Sequence, residues 1–182
     1  MTRVLLLAAL FAGAPAAAQT VVSVQAGGAA FDLSGTGSAF VADVRAHRPI
    51  TRVLAVEGGV GFSRTAQQFG DVSYLLPNVE FQAGLPLGTR FRPFVGLGFG
   101  AFVPLSDPGP FQITYPGGST TSGDFDPEFD GAIVLSLGLD AAVTDRVLVR
   151  TSGRLRGTAS LGGPDVFGGT FAEITAGLGY RF

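Results

Sequence analysis

The residues in which chemistry would be sought first are ten ionisable side chains, each set in a stretch where apolar and polar positions alternate: Asp43, Arg45, Glu57, Glu80, Asp140, Arg150, Arg154, Arg156, Glu173 and Arg181. Two carboxylates brought close, as Glu57 and Glu80 would be on neighbouring strands, can hold split pKa values and share general acid and base work, and an arginine beside such a base is a common active-site arrangement. Acid and base catalysis of bond cleavage also needs a nucleophile held beside the base, and the spacing provides none. The ten charges divide evenly by sign, and ionised groups taken out of water must be paired. The set therefore reads as a structural charge network filling an interior, with no catalytic, cofactor-binding or metal-binding residue assigned and no cofactor expected.

Two other features were weighed for chemistry. Asp124, Asp126, Glu128 and Asp130 alternate with Phe125, Pro127 and Phe129, which places four carboxylates on one face of an extended segment. Clustered oxygen ligands suit Ca²⁺, but the spacing of a calcium loop is missing. The same residues would equally solvate a hairpin or pair with Arg156. His47 is the only histidine, stands near a turn with no evident partner, and reads as an interfacial residue rather than a base or ligand.

The elements that must position these side chains follow from composition and periodicity. A chain of 182 residues with 28 glycines, 11 prolines and 14% charged residues argues for an all-β domain rather than a helical bundle or a disordered tail. Mean hydropathy is high, at +0.40, yet outside the N-terminus no apolar run of about twenty residues exists from which to build a transmembrane helix. Alternation produces that combination. Cysteine is absent, which excludes disulfides, thiol catalysis, zinc thiolate sites and an acylated lipoprotein anchor. A net charge of -2 argues against nucleic acid as a partner.

Residues 1–18 carry Arg3, the apolar core Val4 to Ala14 and Ala16-Ala17-Ala18, the pattern of a cleaved secretory signal. Residues 19–182 then form one domain. Eight segments of period-2 character follow: Val21 to Phe31, Ser38 to Ala46, Val53 to Phe62, Val72 to Leu85, Arg92 to Val103, Gly131 to Ala141, Val147 to Arg156 and Thr170 to Phe182. Short connections after the second, fourth and sixth alternate with longer ones, over Asp32 to Gly37, Arg64 to Asp71, Pro104 to about Asp130, and Gly157 to Gly169. Arg48-Pro49 is taken as the boundary after the second segment, because a residue without an N–H cannot serve a central ladder. The long connection from Pro104 to Asp130 contains no basic residue.

With the apolar row of every segment turned outward, no Asp, Glu, Lys, Arg or His faces outward, and all ten charges named above face inward. A charge facing hydrocarbon at the bilayer midplane costs about 2–4 kcal/mol, so this segregation is what lipid demands. The expected fold is an eight-stranded antiparallel up-and-down transmembrane barrel. A soluble lipocalin-like barrel would show the same alternation inside out, but its solvent coat would here be glycine-rich and without lysine.

The final strand ends Gly-Leu-Gly-Tyr-Arg-Phe. It resembles the C-terminal strand of bacterial outer-membrane β-barrels, and with the signal and the eight segments the chain from Thr20 to Phe182 resembles small barrels of the OmpA/OmpX type, or porin family. The resemblance implies residence in the bacterial outer membrane, surrounding lipid as a partner, and Leu178, Tyr180 and Phe182 as the signal read by the barrel-assembly machinery. It further implies a structural, adhesive or surface-interaction role, with an extracellular protein or other surface ligand bound through loops bearing Phe111, Ile113, Tyr115 and Phe167. A small-solute channel is the alternative, for which the charge-filled narrow bore is unfavourable. A lipid-modifying enzyme would need a serine and histidine at the outer end, whereas His47 is at the opposite end.

Overall fold

The computed structural model describes residues 19–31, 37–67, 70–105, 109–114, 118, 120–125, 129–158 and 170–182. The expected signal segment, residues 1–18, lies outside them. Among the described residues ten strands form: β1 (Val21–Phe31), β2 (Gly37–Pro49), β3 (Leu54–Gln67), β4 (Gly70–Gly84), β5 (Phe91–Pro104), β6 (Gly109–Thr114), β7 (Thr120–Phe125), β8 (Asp130–Ala142), β9 (Val147–Thr158) and β10 (Thr170–Arg181). Eight of them close a barrel in the order β1-β10-β9-β8-β5-β4-β3-β2, while β6 and β7 make a separate two-stranded sheet. Closure leaves no open edge, and the C-terminal strand is the piece that achieves it, pairing with β9 on one side and with β1 on the other from Val21↔Arg181 to Phe31↔Phe171.

Alternation decides which face is which. Leu97, Leu137, Ile174 and Phe81 point outward and are well exposed, Ile174 at 76%, whereas Glu57, Glu80, Arg150 and Arg154 are buried inside. The polar row is thus the interior and the apolar row the exterior, and the inverted, lipocalin-like arrangement is excluded. No helix among the described residues is long and apolar enough to cross a membrane; the strands form the apolar belt.

The turns at one end are built alike. Thr51 Oγ1 accepts from Val53 N and Leu54 N at 3.2 and 2.9 Å, and Thr144 Oγ1 accepts from Arg146 N and Val147 N at 3.2 and 3.0 Å, so a threonine hydroxyl satisfies two amides that the ladder has released. In the third turn at this end Gly88 has φ +66°, a conformation that favours glycine. Phe182 N donates to Thr20 O at 3.0 Å, so the start of β1 and the end of β10 meet here too.

Two expectations fail. Of the expected loop Arg64 to Asp71, the described residues are strand: β3 runs to Gln67 and β4 starts at Gly70, paired through Gln67↔Gly70. Beyond the apolar belt no lipid enforces alternation, yet backbone pairing still satisfies the amides, so the strands outlast their sequence signature. The connection after β5 is not wholly irregular either, for β6 and β7 pair from Gly109↔Phe125 to Thr114↔Thr120. Gly117-Gly118 between Ile113-Thr114 and Thr120-Thr121 is the hairpin signal that the proline count obscured. Pro77 and Pro93 lie within β4 and β5, inside the segments Val72 to Leu85 and Arg92 to Val103. Pro93 pairs with Leu139, and at Pro77 the β4–β5 ladder breaks, running Leu75↔Val103 and resuming at Asn78↔Gly100, because the missing N–H interrupts one side only.

Close approach of neighbouring strands explains one interior glycine. A Cβ at Gly177 would fall on the backbone of Val24 and Gln25 in β1. Gly177→Val is therefore expected to abolish the compact form that runs faster on gels before boiling. Gly131→Val, where nothing lies within 4 Å of the added Cβ, is expected to retain it; equal behaviour of the two variants would refute the close packing.

Candidate functional site in the barrel interior

Register brings the interior charges together from six strands. Glu57 on β3 and Glu80 on β4 are direct cross-strand partners, an arrangement in which like charges repel. Two guanidiniums bridge them. Arg45 Nη1 lies 3.5 Å from Glu57 Oε1 and 3.2 Å from Glu80 Oε1, while Arg154 Nη2 and Nε lie 3.2 Å from the same two atoms. Arg45 also reaches Asp43 at 2.9 Å and Glu173 at 3.6 Å, and Arg154 reaches Glu173 at 3.5 Å, across the β9–β10 pair, and Asp43 at 3.7 Å. Arg156 pairs with Glu173 at 3.2 Å.

Toward the turn end, Arg150 forms an ion pair with Glu57, lies 3.2 Å from its cross-strand partner Asp140, and holds its guanidinium carbon 4.4 Å above the Phe94 ring, a cation–π contact. Neutral polar groups complete the shell: Arg150 donates to Gln82 Oε1 at 3.1 Å, Arg154 to Ser152 Oγ at 3.0 Å, and Ser152 and Thr175 hydroxyls both donate to Gln25 Oε1, at 2.9 and 3.1 Å. Arg45, Glu57, Glu80, Arg150, Arg154, Arg156 and Glu173 are all at most 2% exposed. Closed off from solvent and paired with arginines, the Glu57 and Glu80 carboxylates are fixed rather than presented to a substrate.

Three residues sit differently from their reading in the sequence: Arg181, His47 and Arg92. Arg181 stands apart from the interior set, at the turn end, where Nη1 donates to the backbone carbonyl of Asp145 at 3.2 Å; the last residue of β10 lies beyond the filled part of the bore. His47 is not an interfacial residue but is 5% exposed inside the barrel, with Nδ1 3.7 Å from Glu57 Oε2 and Nε2 3.5 Å from Arg92 Nη1. Its parity with Asp43 and Arg45 on β2 was the signal. Arg156 pairs inside with Glu173 and is not available to the acidic segment; of that segment, Asp126 and Glu128 lie outside the described residues, Asp124 belongs to β7 and Asp130 is exposed. Arg92, absent from the interior set, pairs with Asp140 at 3.3 Å. Among the described residues no group of three or more His, Asp or Glu is placed to hold a metal ion.

Sequence reasoning also overlooked an apolar layer across the bore at the loop end. Val41, Leu76, Phe102 and Phe171 are buried there with Ala29, Ala39 and Ala132, and Tyr74 packs against them. Phe102 meets Tyr74 and Phe171 edge-on, with centroids 6.0 and 5.7 Å apart. These residues share the inward parity of the charges, which marks an interior that changes from charged to apolar along its axis.

Leu178, Tyr180 and Phe182 lie on the outward row at the end of β10, the two rings edge to face at 5.0 Å. Of the loop aromatics and aliphatics noted in the sequence, Phe111 and Ile113 belong to β6, and Tyr115 and Phe167 lie outside the described residues.

The model of the family described as outer membrane protein beta-barrel domain matches residues 4–182. No curated protein matches the chain in sequence. Among solved structures, the Neisserial surface protein A, NspA, superposes with a TM-score of 0.57 at 15% identity, covering 91% of this chain and 97% of that one. The N-terminal β-barrel domain of Pseudomonas aeruginosa OprF gives 0.53 at 14% identity, covering 91% and 99%. Ail, the attachment invasion locus protein of Yersinia pestis, gives 0.52 at 12% identity, covering 91% and 97%. At these identities the likeness is one of fold.

Proposed function

Because the chain belongs to the outer membrane protein beta-barrel domain family and so resides in the bacterial outer membrane, we propose that it is a closed structural barrel, serving to hold a ligand-binding surface at the loop end rather than to conduct solutes or catalyse a reaction. The observation that carries this reading is the interior itself: guanidiniums and carboxylates interlock across the bore from β2, β3, β4, β9 and β10, with an aromatic and aliphatic layer above them. An eight-stranded barrel has an interior only wide enough for side chains, and here large ones fill it.

The outward row Leu178, Tyr180 and Phe182 fits the role of the assembly signal. The loop-end ligand differs in chemistry from that of one structural neighbour. Ail has been solved in complex with the heparin analogue sucrose octasulfate, whereas the connection from Pro104 to Asp130 here has no basic residue and carries Asp107, Asp124, Asp126, Glu128 and Asp130. A polysulfate would be repelled by that segment; a cationic surface or one bridged by divalent cations suits it.

Planar-bilayer recording on the folded protein tests closure. The expected result is a baseline without discrete current steps at neutral pH. A reproducible unit conductance would replace the closed barrel with a channel.

A further inference from the structure

The interior network ends below Asp140, and at the turn end the barrel opens into a cavity of about 340 Å³ whose lining includes His47, Arg52, Arg90, Arg92, Asp140 and Arg181. We propose that this mouth is a binding site for a phosphate-type anion. It goes beyond closure of the bore and does not depend on it.

Charge and hydrogen-bonding capacity both point that way. Among the described residues on the lining Asp140 is the only acid, and it is matched already by Arg92 at 3.3 Å and Arg150 at 3.2 Å. Arg52, on the turn after β2, and Arg90, on the turn after β4, are exposed; among the described residues neither side chain has an ion-pair or hydrogen-bond partner. They approach one cavity from two separate turns. Arg181 uses Nη1 on the Asp145 carbonyl and keeps other N–H groups of its five-donor guanidinium. Guanidiniums converging from different directions fit the oxygens of a tetrahedral anion, each by a forked contact, better than the two coplanar oxygens of a carboxylate. At about 30 Å³ per water, the cavity has room for roughly ten waters, hence for a phosphate ester with a small alcohol attached.

The wider distribution of charge reinforces the choice of this end. Arg48, Arg52, Arg90, Arg92, Arg146 and Arg181 all lie at the turn end of the barrel, whereas Asp124 and Asp130, on β7 and β8, belong to the opposite end. Such a separation draws anions to one mouth and away from the other. Short turns face the periplasm in outer-membrane barrels, so the ligand is a periplasmic phosphate ester or the headgroup of a phospholipid in the adjacent leaflet.

The two sources separate in one experiment. Folded protein in a phosphate-free maltoside detergent is titrated by calorimetry with glycerol phosphate, and separately with phosphatidylglycerol mixed into the same micelles, using wild type, an Arg52→Gln/Arg90→Gln double variant and Arg64→Gln as a loop-end control. Gel mobility before and after boiling verifies that each is folded; the two turn arginines have no partners to orphan. The expected result is saturable binding weakened at least tenfold in the double variant and unaltered in the control. Saturation by glycerol phosphate identifies a soluble ester as sufficient, and saturation by phosphatidylglycerol alone identifies the headgroup. Absence of binding in both titrations, or equal affinity of wild type and double variant, overturns the site.

Discussion

Arg154→Met is expected to destabilise the folded barrel by about 3–5 kcal/mol, the range for removing one partner from a buried ion pair. The side chain stands within 4 Å of carboxylates of Asp43, Glu57, Glu80 and Glu173. Its loss leaves the Glu57 and Glu80 pair held by Arg45 between them and by Arg150 on one flank. Methionine restores much of the volume, so the effect reports charge and hydrogen bonding rather than a cavity. Urea unfolding in lipid vesicles, followed by gel mobility, measures it. Glu80→Gln removes a carboxylate that Arg154 serves, and the double variant should lose less than the sum of the single losses, by about 0.5–3 kcal/mol. Strict additivity together with a small loss for Arg154→Met would show that the interior charges act independently, and the structural network would have to be abandoned.

Leu137→Arg is expected to cost about 2–4 kcal/mol in a bilayer, the penalty for an arginine at the midplane of a lipid-facing strand. Leu137 lies midway along β8, is 65% exposed on the outward row, and its neighbours across the ladders are Val95 and Gly153. None offers a carboxylate. The same vesicle unfolding measures the loss, and a spin label at residue 137 should relax with oxygen, which partitions into lipid, more than with a water-soluble nickel chelate. A neutral substitution with a water-exposed label would invert the assignment of the two faces and remove the basis for membrane residence.

How much of this was legible in the sequence depended on where each residue stands relative to the lipid. Within the apolar belt one face must be hydrocarbon-compatible, so Val95, Leu97, Phe99, Ile133, Leu135 and Leu137 repeat every second residue, and the strands could be read directly. Outside the belt that constraint lapses. The upper turns of β3 and β4 and the β6–β7 hairpin are held by backbone pairing, which leaves a weak trace in side-chain type. Parity on β2 already placed His47 beside Asp43 and Arg45, but its lack of a sequence neighbour of opposite charge hid the contacts with Glu57 and Arg92. Arg150 with Asp140, across a short turn, was accessible because the separation is local. The convergence of Arg45, Arg154, Glu57, Glu80 and Glu173 was not.

By itself, then, the order of residues determined the barrel class, the number of membrane-crossing strands and the division between lipid and interior faces, because a two-residue period is a local property that hydrocarbon enforces strand by strand. Tertiary structure alone decided which interior charges share a partner, where the bore turns apolar and how arginines from separate turns meet at one mouth. Those outcomes follow from closure and register: a barrel brings opposite walls within a side chain's length, and no local pattern records which residues of distant strands will face each other across it.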